Sequence, residues 1–559
     1  MESIGWDCLF CFFPLLLVFL WLVALRWPRV HCWGRRAVGA ASWSLWVIVC
    51  QILELPLHRN TETCIKETES PETADILSGL GGKLDGARFI CKATALAKHL
   101  QQHCSSLNMS NLASWPRGDP HLQTVSSQLC GQYGDTTQFT RENLLLKDGG
   151  MVALDWSVGT RHDDAGVKKR WEPRREHQLG RKGLGCFTQT PPVLLLIPQS
   201  WGGMTPHLKW LSQEAMLQGF YVVVFHHRGT AGSPLSTARL MEFGDPSDLE
   251  EAVAYVHSRR PSSMLFAVSE GSGSGVLLSY LGECGSGSHL TAAAAISPVL
   301  LGQLWFETLM PPIYRWGALF HRKQQLSRYE NSLKGVLDVD RALSSSSLRE
   351  FEEALFCTSA PPQQQQTHGS SPLKGLAPSL AWTLGERAYL AKDWEGYWGR
   401  NEPLRDADEV AVPVLCICSR DDPILPPAST LPLPLFLSNP YFLLVWTDRG
   451  GHCGFTLERR AEADEGRTRT KEEDEKRWSY ILALEYFRVV ADFLKYEESD
   501  EMRWRRSLEG SQSVQRKAET MTVPRRRRTN VMRRPKAQSS EHSGVDDPEN
   551  FTWKRSYTR

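Results

Sequence analysis

"LFAVSEGSGSGVLLSYLGECG", residues 265–285, joins one apolar run to another through a cluster of serine, glycine and a single glutamate. The first run is short and continuous, the pattern of a strand buried on both faces. The second runs from Gly275 and closes on glycine, as a helix does. A strand turning sharply into a helix brings the residues between them to the edge of a sheet, where a serine hydrolase carries its nucleophile. Two serines compete for that role. Ser269 directly follows the strand in an Ala-x-Ser-x-Gly pattern, and Ser272 stands three residues later.

Outward from this stretch the same alternation repeats. Strands are expected at 192–198, 220–229 and 291–300, with helices at 207–219, 245–261 and 275–285 between them. Two later strands, at 412–419 and 441–447, lead to a closing helix at 478–496. Residues 139–156 read as two strands around an Asp-Gly-Gly turn. Continuous apolar strands alternating with amphipathic helices give an α/β fold, a mostly parallel sheet covered on both faces. Residues 301–410 are expected to form a helical cap, and 161–188, 358–375 and 458–476 read as surface insertions.

Functional side chains in such a sheet gather at the C-terminal ends of the strands. Asp422, in "SRDDPILPP", and His452, in "DRGGHCGF", each follow a predicted strand, after the serine cluster in chain order. Serine, acid, histidine is the order of an α/β-hydrolase triad, in which a carboxylate orients an imidazole that acts as general base. Asp421 is the neighbouring alternative. The loop "QSWGG" (199–203) offers Ser200 as one oxyanion donor, and the amide following the nucleophile is the other. His226, His227 and Arg228 are read as structural, with Arg228 bracing its loop. The 14 cysteines show no paired spacing and no histidine cluster accompanies them, so neither a metal nor another cofactor is expected.

The chain divides into four parts on composition. Residues 8–25 are uncharged and about long enough to cross a bilayer, and Arg26, Arg29, Arg35 and Arg36 follow them. That charge bias makes 1–36 a single-pass anchor with the rest of the chain in the cytoplasm; secretion after signal cleavage is the alternative. A membrane-proximal linker (37–119) leads to the hydrolase domain (120–496). The tail (497–559) carries, from Glu501 onward, 15 lysines and arginines against 7 aspartates and glutamates, and is expected to be disordered. A membrane is an expected partner; nucleic acid is not.

Five stretches, "LLLIPQSWGG", "VVVFHHRGTAG", "SEGSGSGVLLSYLG", "VPVLCICSRDDP" and "GGHCGF", together resemble the membrane-anchored α/β-hydrolases called the AB hydrolase 4 family. The resemblance implies an N-terminal anchor and hydrolysis of acylglycerols, phospholipids or short-chain esters. It also implies an elbow reading Gly-x-Ser-x-Gly-Gly. Counted back without a gap from Tyr280, Leu281 and Gly282, the family's serine falls on Gly271, and Gln199 stands where a glycine usually follows the proline. The resemblance thereby makes Ser272 the residue whose amide is the second oxyanion donor. Two functions from different classes follow. One is a regulatory protein of lipid metabolism that binds a lipid, an acyl ester or a protein partner through a degraded elbow. The other is an active serine ester hydrolase using Ser269 or Ser272.

Overall fold

The apolar runs pair into one sheet whose order puts the Ser/Gly cluster near its middle. In the computed structural model the strands are β1 (Ala87–Ile90), β2 (Gln138–Leu145), β3 (Met151–Val158), β4 (Val193–Ile197), β5 (Tyr221–His226), β6 (Leu265–Glu270), β7 (Ala292–Ile296), β8 (Val414–Ser419) and β9 (Phe442–Thr447). Their order is β1-β9-β8-β7-β6-β4-β5-β3-β2. From β9 to β5 every pairing is parallel, whereas β1, β3 and β2 join antiparallel at the two edges. The structure describes residues 32–56, 87–108, 111–129, 137–158, 190–199, 203–308, 310–358, 381, 384–458 and 477–496. The expected anchor at 8–25, Ser200, the basic tail and most of the three insertions lie outside them.

The longer helices, in chain order, are α1 (Cys32–Ile52), α2 (Ala95–His103), α3 (Pro120–Leu129), α4 (Pro206–Leu217), α5 (Ser247–Arg259), α6 (Gly273–Cys284), α7 (Pro312–Arg328), α8 (Leu348–Phe356), α9 (Trp394–Asn401) and α10 over 478–496. Alternate sheet residues Leu194, Val224, Phe266, Val268 and Ile417 pack in one core cluster with Trp478, Tyr486 and Phe487 of α10. The intervening Leu195, Val223 and Ala267 are equally buried. Both faces of the parallel strands are therefore covered, the physical reason those strands read as unbroken apolar runs. Strand β1, from the stretch read as membrane-proximal linker, extends the sheet beyond β9.

The chain forms two compact units. The larger holds the sheet, together with 400–420 and 429–458. In it Arg228 bonds Asp248 through two nitrogens and Asp148 through a third contact, and Gly229 and Gly232 take positive φ, so this arginine braces its loop. The smaller unit contains α1, residues 301–399 and the turn at 421–428. Within it Glu352 of α8 accepts from Arg322 of α7 and from Tyr397 of α9 at 2.6 and 2.9 Å, which ties the three helices together. None of the described helices is long and apolar enough to cross a membrane.

Candidate active site

Strand register sets the site. Ile197 at the end of β4 pairs with Ser269 of β6, so Gln199 and Gly271, each two residues further on, emerge side by side. β6 ends at Glu270 and α6 begins at Gly273, which leaves Gly271 and Ser272 as the whole turn. Gly271 takes φ +49° and donates its amide to the carbonyl of Ile296 in β7 at 2.9 Å. Left-handed backbone of this kind is strained for any residue with a side chain, and in this fold the elbow holds its nucleophile in such a conformation. Gly273 is required for a different reason: a β-carbon there would lie 2.2 Å from the carbonyl oxygen of Pro198. Ser274 Oγ donates to the Gly271 carbonyl at 2.6 Å and accepts from the Val299 amide at 2.9 Å, which pins the turn.

His452 approaches Gly271 from the loop after β9. Thr124 Oγ1 of α3 accepts from the His452 amide at 2.9 Å, and Ser127 Oγ of the same helix donates to its carbonyl at 3.1 Å. Gly451 takes φ +54°, and a β-carbon there would meet the Pro120 carbonyl at 2.6 Å, so the loop can pass α3 this closely only with glycine. The imidazole is buried. A β-carbon built on Gly271 would stand 2.8 Å from His452 Nε2 and 3.2 Å from Gln199 Nε2. Both contacts are closer than ordinary van der Waals separation of about 3.5 Å. The base and the amide thus fill the volume that a side chain at 271 would need.

The other expected residues lie as follows. Ser269 is an interior residue of β6, fully buried, and its hydroxyl makes no hydrogen bond. Ser272 is the N-cap residue of α6, with helical backbone and a buried side chain. Asp422 belongs to the smaller unit, where its Oδ1 accepts the amides of Ile424 and Leu425 at 2.9 and 3.1 Å and so closes its own turn. Asp421 beside it is buried. Among the described residues no group of three or more His, Cys, Asp or Glu could hold a metal ion.

Gln199, marked in the sequence only as a departure from the family's glycine, is part of the site. Glu270 is a participant the sequence did not indicate. It is fully buried beside Gly271 and accepts a hydrogen bond from the Tyr480 hydroxyl of α10. Burial pushes its carboxyl up to about 7, while the Tyr480 hydrogen bond and the charges of His452 and Arg477 pull the other way. Arg477 also bonds Thr456, and its Nη2 lies 3.0 Å from His207 Nε2. Burial, and then Arg477, push His207 down to about 4, so it is neutral at physiological pH.

This strand order and elbow can be set beside known proteins. Human protein ABHD15 is 40% identical over 550 residues, which cover 98% of this chain and 98% of that one. The chain belongs to the ABHD15 family of α/β-hydrolase-fold proteins. Beyond the ABHD15 family, bovine phospholipase ABHD3 is 28% identical over 328 residues, 57% of this chain and 66% of its own. Among solved structures, a Pyrococcus furiosus esterase aligns over 58% of this chain and 89% of its own at 12% identity, with a TM-score of 0.29. No family model matches the chain.

Proposed function

We propose that this chain is a non-catalytic member of the α/β-hydrolase fold, a regulator in lipid metabolism that binds a lipid, an acyl ester or a protein partner at a membrane. The observation that carries the reading is the apex of the elbow. Gly271 supplies no oxygen there, and His452 and Gln199 occupy the space a side chain would take. A hydrolase without its nucleophile keeps only what binding and the oxyanion donors provide, several orders of magnitude below the intact site. Lipid metabolism comes from the resemblance to hydrolases of acylglycerols and phospholipids, and from the phospholipase among the relatives.

The competing reading is a serine ester hydrolase. The presence of Asp422 and His452 supports it, since an abandoned site has no chemical need of them. Ser269 answers it poorly, because its hydroxyl is sealed inside β6. Reaction of the full chain with a fluorophosphonate separates the two. No labelling is expected. Labelling that disappears with Ser269→Ala or Ser272→Ala would establish the hydrolase and name its nucleophile.

The membrane part of the proposal rests on the uncharged stretch 8–25 and the arginines after it. The chain should stay with membranes in alkaline carbonate and leave the sequon at Asn108 unglycosylated. Glycan on Asn108 would place this part of the chain in the lumen or outside the cell.

A further inference from the structure

We infer that α7 is an interfacial helix that lays Ile313, Trp316 and Phe320 onto an anionic bilayer surface. This deepens the membrane reading above and rests on it: that reading brings the chain to a membrane, and α7 is the surface that touches the lipid.

The helix has two unlike faces. Leu319 and Leu326 are buried, and Arg322 bonds Glu352 at 2.6 Å, which marks the inner side. Ile313, Trp316 and Phe320 follow one another at intervals of three and four, so they share the opposite side. Their exposures are 42%, 68% and 54%. The Trp316 and Phe320 rings stack at 5.5 Å with 12° between their planes, one continuous aromatic surface in water. Later positions on that face, Gln324 and Ser327, are polar, so the apolar patch is confined to the first turns and suits shallow insertion.

Charge selects the occupant. Over Pro312–Arg328 the helix carries Arg315, Arg322, Lys323 and Arg328 and no aspartate or glutamate. Among the described residues Arg322 bonds Glu352, and Lys323 bonds the Ser345 carbonyl and lies close enough to Glu350 to lower its carboxyl, whereas Arg315 and Arg328 form no ion pair. Just beyond the helix, Glu330 and Asp340 are both engaged by Lys334. Aromatic side chains on one face with uncompensated basic residues beside them are the composition of helices that lie in the headgroup region of acidic lipid. A second observation points the same way. Among the described residues, every exposed isoleucine, tryptophan and phenylalanine belongs to the smaller unit, with Trp43, Ile48 and Ile52 on α1. In the sequence that helix lies a few residues after the uncharged stretch 8–25 and includes Arg35 and Arg36.

The test is peptide-resolved hydrogen exchange on the full chain with vesicles of phosphatidylcholine, with and without phosphatidylserine. Anionic vesicles should slow exchange across 312–323 by about tenfold or more. Raising salt well above physiological strength should reverse much of that protection. Trp316→Ser combined with Phe320→Ser removes only exposed side chains, so the melting temperature should hold while the protection disappears. The 312–323 footprint reads the helix itself, whatever else tethers the chain. A chain that sediments with anionic vesicles while 312–323 exchanges unchanged overturns this inference and leaves the membrane reading standing. A chain that sediments with neither vesicle overturns both, and equal protection on phosphatidylcholine alone overturns the choice of an anionic surface.

Discussion

His452 Nε2 stands 2.8 Å from the point a β-carbon at Gly271 would occupy. In a working Ser-His pair the hydroxyl oxygen, one bond further out, takes up about that distance. Here the imidazole has advanced into the missing side chain's volume, and Gln199 closes it from the β4 side at 3.2 Å.

Restoring the hydroxyl alone is therefore insufficient. Gly271→Ser must adopt φ +49° and push against both neighbours. Unfolding in urea should show a loss of about 1–2 kcal/mol from the left-handed backbone. The single variant should gain little fluorophosphonate labelling, and Gly271→Ser with Gln199→Gly should gain more. Full labelling of the single variant would show that His452 and Gln199 yield freely.

Ser269 offers a contrasting test. Its hydroxyl is buried in β6 without a hydrogen-bond partner, an arrangement that costs free energy on folding. Ser269→Ala should leave stability unchanged or raise it by about 1 kcal/mol. A loss of more than about 2 kcal/mol in the same urea titration would mean the hydroxyl has a partner in solution.

Glu270 predicts a pH dependence with a definite sign. Its carboxyl is raised by burial to about 7, above the ordinary 4.5, so between these values the folded chain holds a proton that the unfolded chain releases. Stability from this group is intact below pH 4.5 and is lost as pH rises toward 7, on the order of 3 kcal/mol in all. Glu270→Gln can still accept from Tyr480 and should remove that slope, with its largest gain in stability near pH 8. Parallel stability curves for the two proteins between pH 5 and 8 would count against a neutral Glu270.

The legible part of this fold is the part that hydrophobic burial writes into the chain. Strands β4 through β9 read as continuous apolar runs because both of their faces are covered. Strand β1 has four residues and its one described pairing is with β9, far along the chain, so no local pattern announces it. The elbow was harder. "SEGSGSG" offers serines on both sides of Gly271, and what distinguishes the positions is the backbone, which ends the strand at Glu270 and turns φ positive one residue later. The contact between Gln199 and the elbow depends on the β4–β6 register, a fact of pairing. Nothing local in the sequence marks Glu270 as interior; it is buried at the end of β6 and bonded by Tyr480 from the far end of the domain.

Two glycines of the chain should respond in opposite ways to the same added methyl group. At Gly273 a β-carbon would meet backbone oxygens at 2.2 Å (Pro198) and 3.0 Å (Ile197), which cannot swing aside as a side-chain end can. Gly273→Ala must therefore push α6 away from β4, and it should lose at least about 3 kcal/mol or fail to fold. At Gly317, inside α7, a β-carbon meets nothing within 4 Å and φ is not left-handed. Gly317→Ala should instead raise stability, by up to about 1 kcal/mol, through helix propensity alone. Thermal melts of the pair decide it: a tolerated Gly273→Ala would mean that α6 does not pack against the β4 end this closely.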